Sequence, residues 1–282
     1  MTPTAVTMRE LLDRHAGVLL DVYGVLLDAR GPLPGARALL AELARRRTPY
    51  AIVTNDASRS TATYARRFAS FSLDVPAERI VTSGSLLPGY FRTHGLAGAR
   101  CAVLGTTDSF AYVRDGGGIP VALEAGMEID ALVVCDDEGF EFLPGIELAL
   151  SAVVRAIERG REPALVLPNP DLVYPKTSGE LGFTAGAMAL LIETALARRF
   201  PDRPREFVRL GKPAPHLFEQ AAALLDLPRD RLVMVGDQLE TDVAGARAAG
   251  VPVALLAGIS RWDDACATAA VAPDFLIDTI EP

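Results

Sequence analysis

Aspartates and a single lysine interrupt the apolar runs of this chain at places that suit chemistry. Leu19-Leu20 runs into Asp21, Ile52-Val53 into Thr54-Asn55, and Met234-Val235 into Gly236-Asp237. A carboxylate just past a buried strand is costly unless something positive compensates it, and two of them side by side call for a cation. Asp21 and Asp237 offer hard oxygen ligands of the kind Mg²⁺ takes, with waters and a substrate phosphate completing the octahedron. Thr54-Asn55 precedes a helix expected to open near Ser58. It reads either as an ordinary turn or as an anion cradle, a hydroxyl plus backbone N–H groups at a positive helix end. Gly211-Lys212-Pro213-Ala214-Pro215 sets Lys212 between backbone restrictors, a compact charge suited to phosphate or to keeping a nearby carboxylate ionised. Asp242, five residues after Asp237, is either a charge at a helix N-terminus or a group that orients a metal's water shell. Any one of these aspartates could simply cap the next turn or helix; the recurrence at three strand ends points to one site.

The elements that position these residues alternate strand and helix. Gly17–Leu20, Tyr50–Val53, Leu232–Val235 and Val251–Leu256 are continuously apolar, as strands of a parallel sheet covered on both faces must be. Between them the periodicity predicts helices over Pro34–Arg47, Ser58–Phe71, His216–Leu227 and Thr241–Ala249, the last ending at Gly250. The expected fold is a doubly wound, Rossmann-like α/β core, in which ligands bind at the carboxyl ends of the strands. The middle of the chain has its own strand candidates at Cys101–Leu104, Ala131–Cys135 and Ala164–Leu167. The expected organisation is therefore a discontinuous core of residues 1–85 and 188–282 around an inserted α/β cap of residues 86–187.

Composition narrows the function classes. Of 282 residues, Lys and Arg number 28 against 36 Asp and Glu, a net charge of −8 with no basic face, which argues against nucleic-acid backbone binding. Aromatic residues are 6% of the chain, too few for stacking platforms. Cys101, Cys135 and Cys266 are odd in number and widely spaced, suggesting neither a disulfide framework nor a zinc site. Charged residues among the first 17 and the lack of any long apolar run argue against a signal peptide or a membrane span. A soluble, cytoplasmic protein is expected.

Read in order, DVYGVLLD (21–28), VTNDASRS (53–60), GKPAPHLF (211–218) and VGDQLETD (235–242) resemble the four motifs of the haloacid dehalogenase superfamily. About 30 residues separate Asp21 from Thr54 and about 155 separate Asn55 from Lys212. That spacing is similar to the class IIA branch, whose C2-type cap lies between the second and third motifs and whose members include nucleotide, sugar-phosphate, pyridoxal-phosphate and phosphoglycolate phosphatases. Asn169-Pro170-Asp171 with Tyr174-Pro175 is similar to a cap loop of that branch. The resemblance implies a Mg²⁺-dependent phosphohydrolase acting on a small phosphorylated metabolite. Asp21 would attack phosphorus to form an aspartyl-phosphate, Thr54 and Asn55 would hold phosphoryl oxygens, and Lys212 would neutralise Asp21 and the transferring group. Asp21, the main-chain carbonyl of Tyr23 and Asp237 would hold the metal, with Asp242 behind them. The branch also brings a cap-mediated homodimer as one candidate assembly.

Tyr23 departs from the pattern. Phosphatases of the family carry an aspartate there, which protonates the leaving group and then activates water; a phenol is a poor base for water near neutral pH. Losing a general acid–base costs typically 10²–10⁴-fold, so the expectation is slow turnover on alkyl esters, with aryl or acyl phosphates suffering least. Two rivals follow: a regulatory protein that binds a phosphorylated ligand without turnover, and a dehalogenase-type enzyme attacking carbon. The second is disfavoured because such enzymes place their cap between the first two motifs. Asp56 reads as a turn residue. Asp136-Asp137-Glu138 and Asn169-Pro170-Asp171 could approach the crevice, the first reading more simply as a solvated turn. His94 and His216 read as surface or packing residues.

Overall fold

The computed structural model describes residues 2–176, 179–257 and 271–282; Cys266 lies outside them. The chain divides into two compact units. One holds residues up to Thr54, Thr61–Val81 and Lys212–Pro282; the other holds Asn55–Ser60 and Thr82–Gly211.

The first unit is built on a seven-stranded sheet ordered Thr4–Ala5, Phe275–Ile277, Val253–Leu256, Leu232–Gly236, Gly17–Leu20, Tyr50–Thr54 and Ile80–Thr82. Pairing is parallel from Thr4–Ala5 through Tyr50–Thr54. Every residue of the strands Gly17–Leu20, Tyr50–Thr54 and Leu232–Gly236 is buried, which is why their sequences are apolar without alternation. Leu20 stands opposite Val235 on one side and Ile52 on the other, so the three strands end level. From Gly17–Leu20 the chain proceeds to one neighbour, and the other neighbour arrives from late in the sequence. Gly17–Leu20 is thus the switch point of a doubly wound sheet, the place where such sheets bind ligands. The apolar face of helix Ala36–Arg46 packs Leu39, Leu40 and Leu43 into this core.

The second unit carries a five-stranded sheet, ordered Val208–Arg209, Ala164–Leu167, Ala131–Val134, Arg100–Leu104 and Ile119–Pro120, parallel throughout. An antiparallel pair, Val173–Pro175 with Leu181–Phe183, adds a small hairpin. The division of the chain differs from the expected 86–187. Helix Ala185–Arg199 buries Ala185, Met188, Ala189, Ile192 and Leu196 in the core of this unit, and Val208–Arg209 pairs with Ala164–Leu167, so the unit runs to Gly211. It also takes in Thr82–Leu86, which the sequence reading left partly to the core, and the separate segment Asn55–Ser60.

Candidate active site

Asp21 extends the central strand by one residue: its N–H donates to the Val235 carbonyl at 3.0 Å. That pairing leaves the side chain at the level carboxyl ends of the sheet, where it is 6% exposed. Lys212, 3% exposed, donates to Asp21 Oδ1 and to Asp242 Oδ1, both at 2.7 Å, and to the Val53 carbonyl at 3.4 Å. Asp242 is fully buried. Its second oxygen, Oδ2, accepts the backbone N–H groups of Asp237 and Gln238 at 3.1 and 3.2 Å. Asp242 thus satisfies backbone donors just ahead of a helical segment and also holds the Asp237 backbone and the lysine.

The expected helix at Thr241–Ala249 is a wide π-type turn over Leu239–Val243 followed by an α-helix over Ala244–Ala249. Such turns gather at functional sites, and this one carries Asp242 inward. Gly236 is needed beside it, since a Cβ there would stand 2.3 Å from the Asp242 carboxyl carbon. Gly24, at φ +85°, serves Asp237 in the same way: a Cβ would lie 2.1 Å from Asp237 Oδ2. Neither glycine was singled out as a site residue in the sequence, although both sit next to the carboxylates inside the motifs.

One ligand oxygen each from Asp21, Asp237 and Asp242 lies within 4.8 Å of the others. Burial, countered by Lys212 and reinforced by Asp242, pushes the Asp21 carboxyl up to about 7. Burial, then the charges of Asp21 and Asp242, pushes Asp237 up to about 8. Burial works against the Lys212 ammonium, but Asp21 and Asp242 outweigh it and hold it well above the usual lysine range. Three carboxylates thus share one ammonium, and Asp237 Oδ1 is buried with no hydrogen-bond partner among the described residues. An unsatisfied oxygen in a site with excess acid is what a hard divalent cation would complete; the donor set fits.

Tyr23 is half-buried. Its ring packs against the apolar core, and the Arg67 guanidinium carbon lies 5.9 Å from the ring centroid. Thr54 ends its strand and is buried. The helix after it opens at Thr61, not near Ser58, so the segment following Thr54 is a turn rather than a helix N-terminus. Asp56 is the cause: its Oδ1 accepts the N–H groups of Ser58 and Arg59 at 2.6 and 3.1 Å, and Oδ2 pairs with Arg59 at 2.6 Å. Asp56 is the turn residue it was read to be.

Within the second unit, Asn55 is buried, and its Nδ2 donates to Asp171 Oδ1 at 2.9 Å. Asn169 Oδ1 accepts the Asp171 N–H at 3.0 Å, closing the Asn169-Pro170-Asp171 turn. Asp136 also shapes a turn, accepting the Glu138 N–H at 3.0 Å. It is not simply solvated, though: burial, with Asp56 and Asp137 nearby, pushes it up to about 6. His94 stacks on Tyr90 at 3.9 Å and His216 stands 3.6 Å from Glu219, both exposed. Cys101 and Cys135 are buried free thiols, and burial pushes Cys101 up to about 11. Among the described residues no helix is long and apolar enough to cross a membrane.

Known proteins resemble this chain along most of its length. Residues 18–118 match the family model of haloacid dehalogenase-like hydrolases, and residues 209–282 match a second, HAD-hydrolase-like model. Human chronophin is 30% identical over 97% of this chain and 93% of its own length. A crystal structure described as a "possible sugar phosphatase" from Cytophaga hutchinsonii superposes with a TM-score of 0.86 at 28% identity, covering 100% of this chain and 99% of that one. The glycerol phosphate phosphatase of Mycobacterium tuberculosis, in complex with magnesium, superposes at 0.71 with 29% identity over 87% of this chain and 69% of that one. Buried aspartates bridged by one lysine at the carboxyl ends of a doubly wound sheet, and these matches along nearly the whole chain, lead to one conclusion: the protein belongs to the haloacid dehalogenase-like hydrolases, in their class IIA branch.

Proposed function

We propose that this chain is a Mg²⁺-dependent phosphatase that takes the phosphoryl group from a small phosphorylated metabolite through an aspartyl-phosphate. The observation that carries the reading is the Lys212 bridge between Asp21 and Asp242 beside Asp237 Oδ1, which is buried with no partner among the described residues. A protein that only binds phosphate gains nothing from carboxylates that repel its ligand. The magnesium complex of the tuberculosis phosphatase supports the choice of ion. Asp21, Asp237 and the Tyr23 carbonyl would hold it, with Asp242 fixing Asp237 from behind, and the bound ion supplies positive charge against the phosphoryl oxygens.

The chain's own residues then divide the work. Lys212 holds one oxygen of Asp21 and favours its ionised form by its charge, leaving the other oxygen to attack phosphorus. As that P–O bond forms, the ester P–O bond breaks and the departing alkoxide takes a proton, which the Tyr23 phenol would supply. Thr54 and the Asn55 backbone N–H would hold the phosphoryl oxygens. Water then attacks the aspartyl-phosphate, returning the Asp21 carboxylate and releasing inorganic phosphate. The Tyr23 phenolate left by that transfer takes a proton from the attacking water and returns to the phenol. Tyr23 is also what favours the second reading, a phospho-ligand-binding protein with negligible turnover.

Release of inorganic phosphate from a panel of phosphorylated metabolites, with Mg²⁺ and with chelator, tests the proposal. The expected result is Mg²⁺-dependent release that Asp21→Asn abolishes. Phosphate release that persists in Asp21→Asn, or in chelator, would overturn it.

A further inference from the structure

We propose that Asp171, far from the motifs in sequence, is a positioning residue for phosphate binding, acting through the side chain of Asn55. This rests on the assignment of the Asn55 backbone N–H to the phosphoryl group. The second unit grips the segment after Thr54 almost residue by residue. Ser83 Oγ donates to the Asn55 carbonyl at 2.5 Å, Ser109 Oγ to that of Ala57 at 2.8 Å, and the Tyr112 hydroxyl to that of Arg59 at 3.0 Å. Thr106 Oγ1 donates to the Ser58 carbonyl, and Ser60 N–H donates to Asp108 Oδ2 at 2.8 Å. At Asn55 the grip is double: Ser83 holds the carbonyl, and Asp171 Oδ1 holds the carboxamide at 2.9 Å. A residue anchored at its carbonyl and at the end of its side chain has little freedom left in φ and ψ, so the direction of its N–H is fixed.

Gly211 adds an independent sign that this Asn55 geometry is built in. Its N–H donates to the Pro168 carbonyl at 2.9 Å. A Cβ at Gly211 would stand 2.6 Å from Asn55 Oδ1, 2.5 Å from the Pro168 carbonyl and 2.9 Å from Pro170 Cδ. The residue before Lys212, the Asn55 side chain and the Pro168–Asp171 turn therefore interlock, and only glycine fits between them. The turn itself is kept independently of Asp171's carboxylate, because Asn169 Oδ1 accepts the Asp171 backbone N–H.

Binding of inorganic phosphate to the full-length Mg²⁺-loaded protein, measured by calorimetry, tests this without depending on turnover. Loss of one charge-assisted hydrogen bond predicts that Asp171→Ala weakens phosphate binding about tenfold. Asp171→Asn keeps wild-type affinity within about threefold, since its amide oxygen still accepts the Asn55 N–H. Asn55→Ala, which cuts the same tie from its other end while keeping the backbone N–H, reproduces the loss and stands in should Asp171→Ala not fold. The two alanine changes together cost about as much as either alone, the mark of a shared interaction. Wild-type affinity in both alanine variants, additive losses, or an asparagine variant as weak as the alanine one would overturn the inference. A wild-type protein that binds phosphate but never releases it from an ester would sink the phosphatase reading and leave Asp171's role standing; one that binds no phosphate would sink both.

Discussion

Replacing Lys212 by methionine removes the ammonium that bridges the buried carboxylates of Asp21 and Asp242 while keeping most of the side chain's length and its apolar stem. At 2.7 Å and an effective dielectric near 20, each of its two contacts is worth about 6 kcal/mol of gross attraction. Burial of the ammonium offsets most of that, and removing one partner of a buried pair costs roughly 3–5 kcal/mol net. A ceiling comes from proton uptake: a carboxyl with an ordinary pKa near 3.9 can be neutralised at pH 7 for about 4 kcal/mol. For a protein of this size such a loss lowers the melting temperature by on the order of 10 °C. The assay is thermal unfolding in chelator from pH 5 to 8. Without the ammonium the folded-state acids are raised further above their unfolded values. The folded state then binds more protons than the unfolded one, so stability falls as pH rises through that range; the deficit against wild type should be widest at pH 8 and narrow toward pH 5. Adding Asp242→Asn should restore about half, because its amide oxygen can keep the Asp237 and Gln238 N–H groups while its N–H faces Asp21. A melting temperature within 2 °C of wild type, or a deficit that does not change with pH, would refute the electrostatic account of the site.

Two further outcomes follow from the same geometry. Tyr23→Asp supplies the missing acid–base carboxylate, and should raise kcat/KM on alkyl phosphate monoesters by about 10²-fold or more, with a smaller gain on para-nitrophenyl phosphate, whose leaving group needs no proton; unchanged rates on both would remove Tyr23 as the cause of slow turnover. Gly24→Ala places a Cβ against Asp237 and strains a backbone at φ +85°, so Mg²⁺ affinity measured by calorimetry should drop at least about tenfold, and wild-type affinity would show that Gly24 does not set the position of Asp237.

What the sequence made legible was governed by burial. Strands buried on both faces must be apolar throughout, so Gly17–Leu20, Tyr50–Val53 and Leu232–Val235 stood out, and the polar residues that follow them were found with them. Lys212 was found because two prolines and a glycine surround it, but its bridge between Asp21 and Asp242 depends on tertiary pairing that no local pattern encodes. The boundary after Gly211 was missed for a similar reason. Val208–Arg209 is two exposed residues long, and only its pairing with Ala164–Leu167 ties it to the second sheet. The helix start near Ser58 was misplaced because Asp56 captures the N–H groups of Ser58 and Arg59 in a turn, delaying the helix to Thr61. Asp136 was read by its acidic neighbours as solvated, whereas the fold half-buries it near Asp56. Asp171 and Asn55 lie more than a hundred residues apart, and nothing in either segment announces the other.

The central claim is that Asp21 is a competent nucleophile toward phosphorus. Beryllofluoride mimics a phosphoryl group on a carboxylate, and its capture is read directly by fluorine NMR on the full-length protein. With Mg²⁺ present, wild type should show a bound beryllofluoride signal that vanishes in Asp21→Asn and in chelator. A wild-type protein that shows no such signal, or an Asp21→Asn variant that keeps it, would contradict the account.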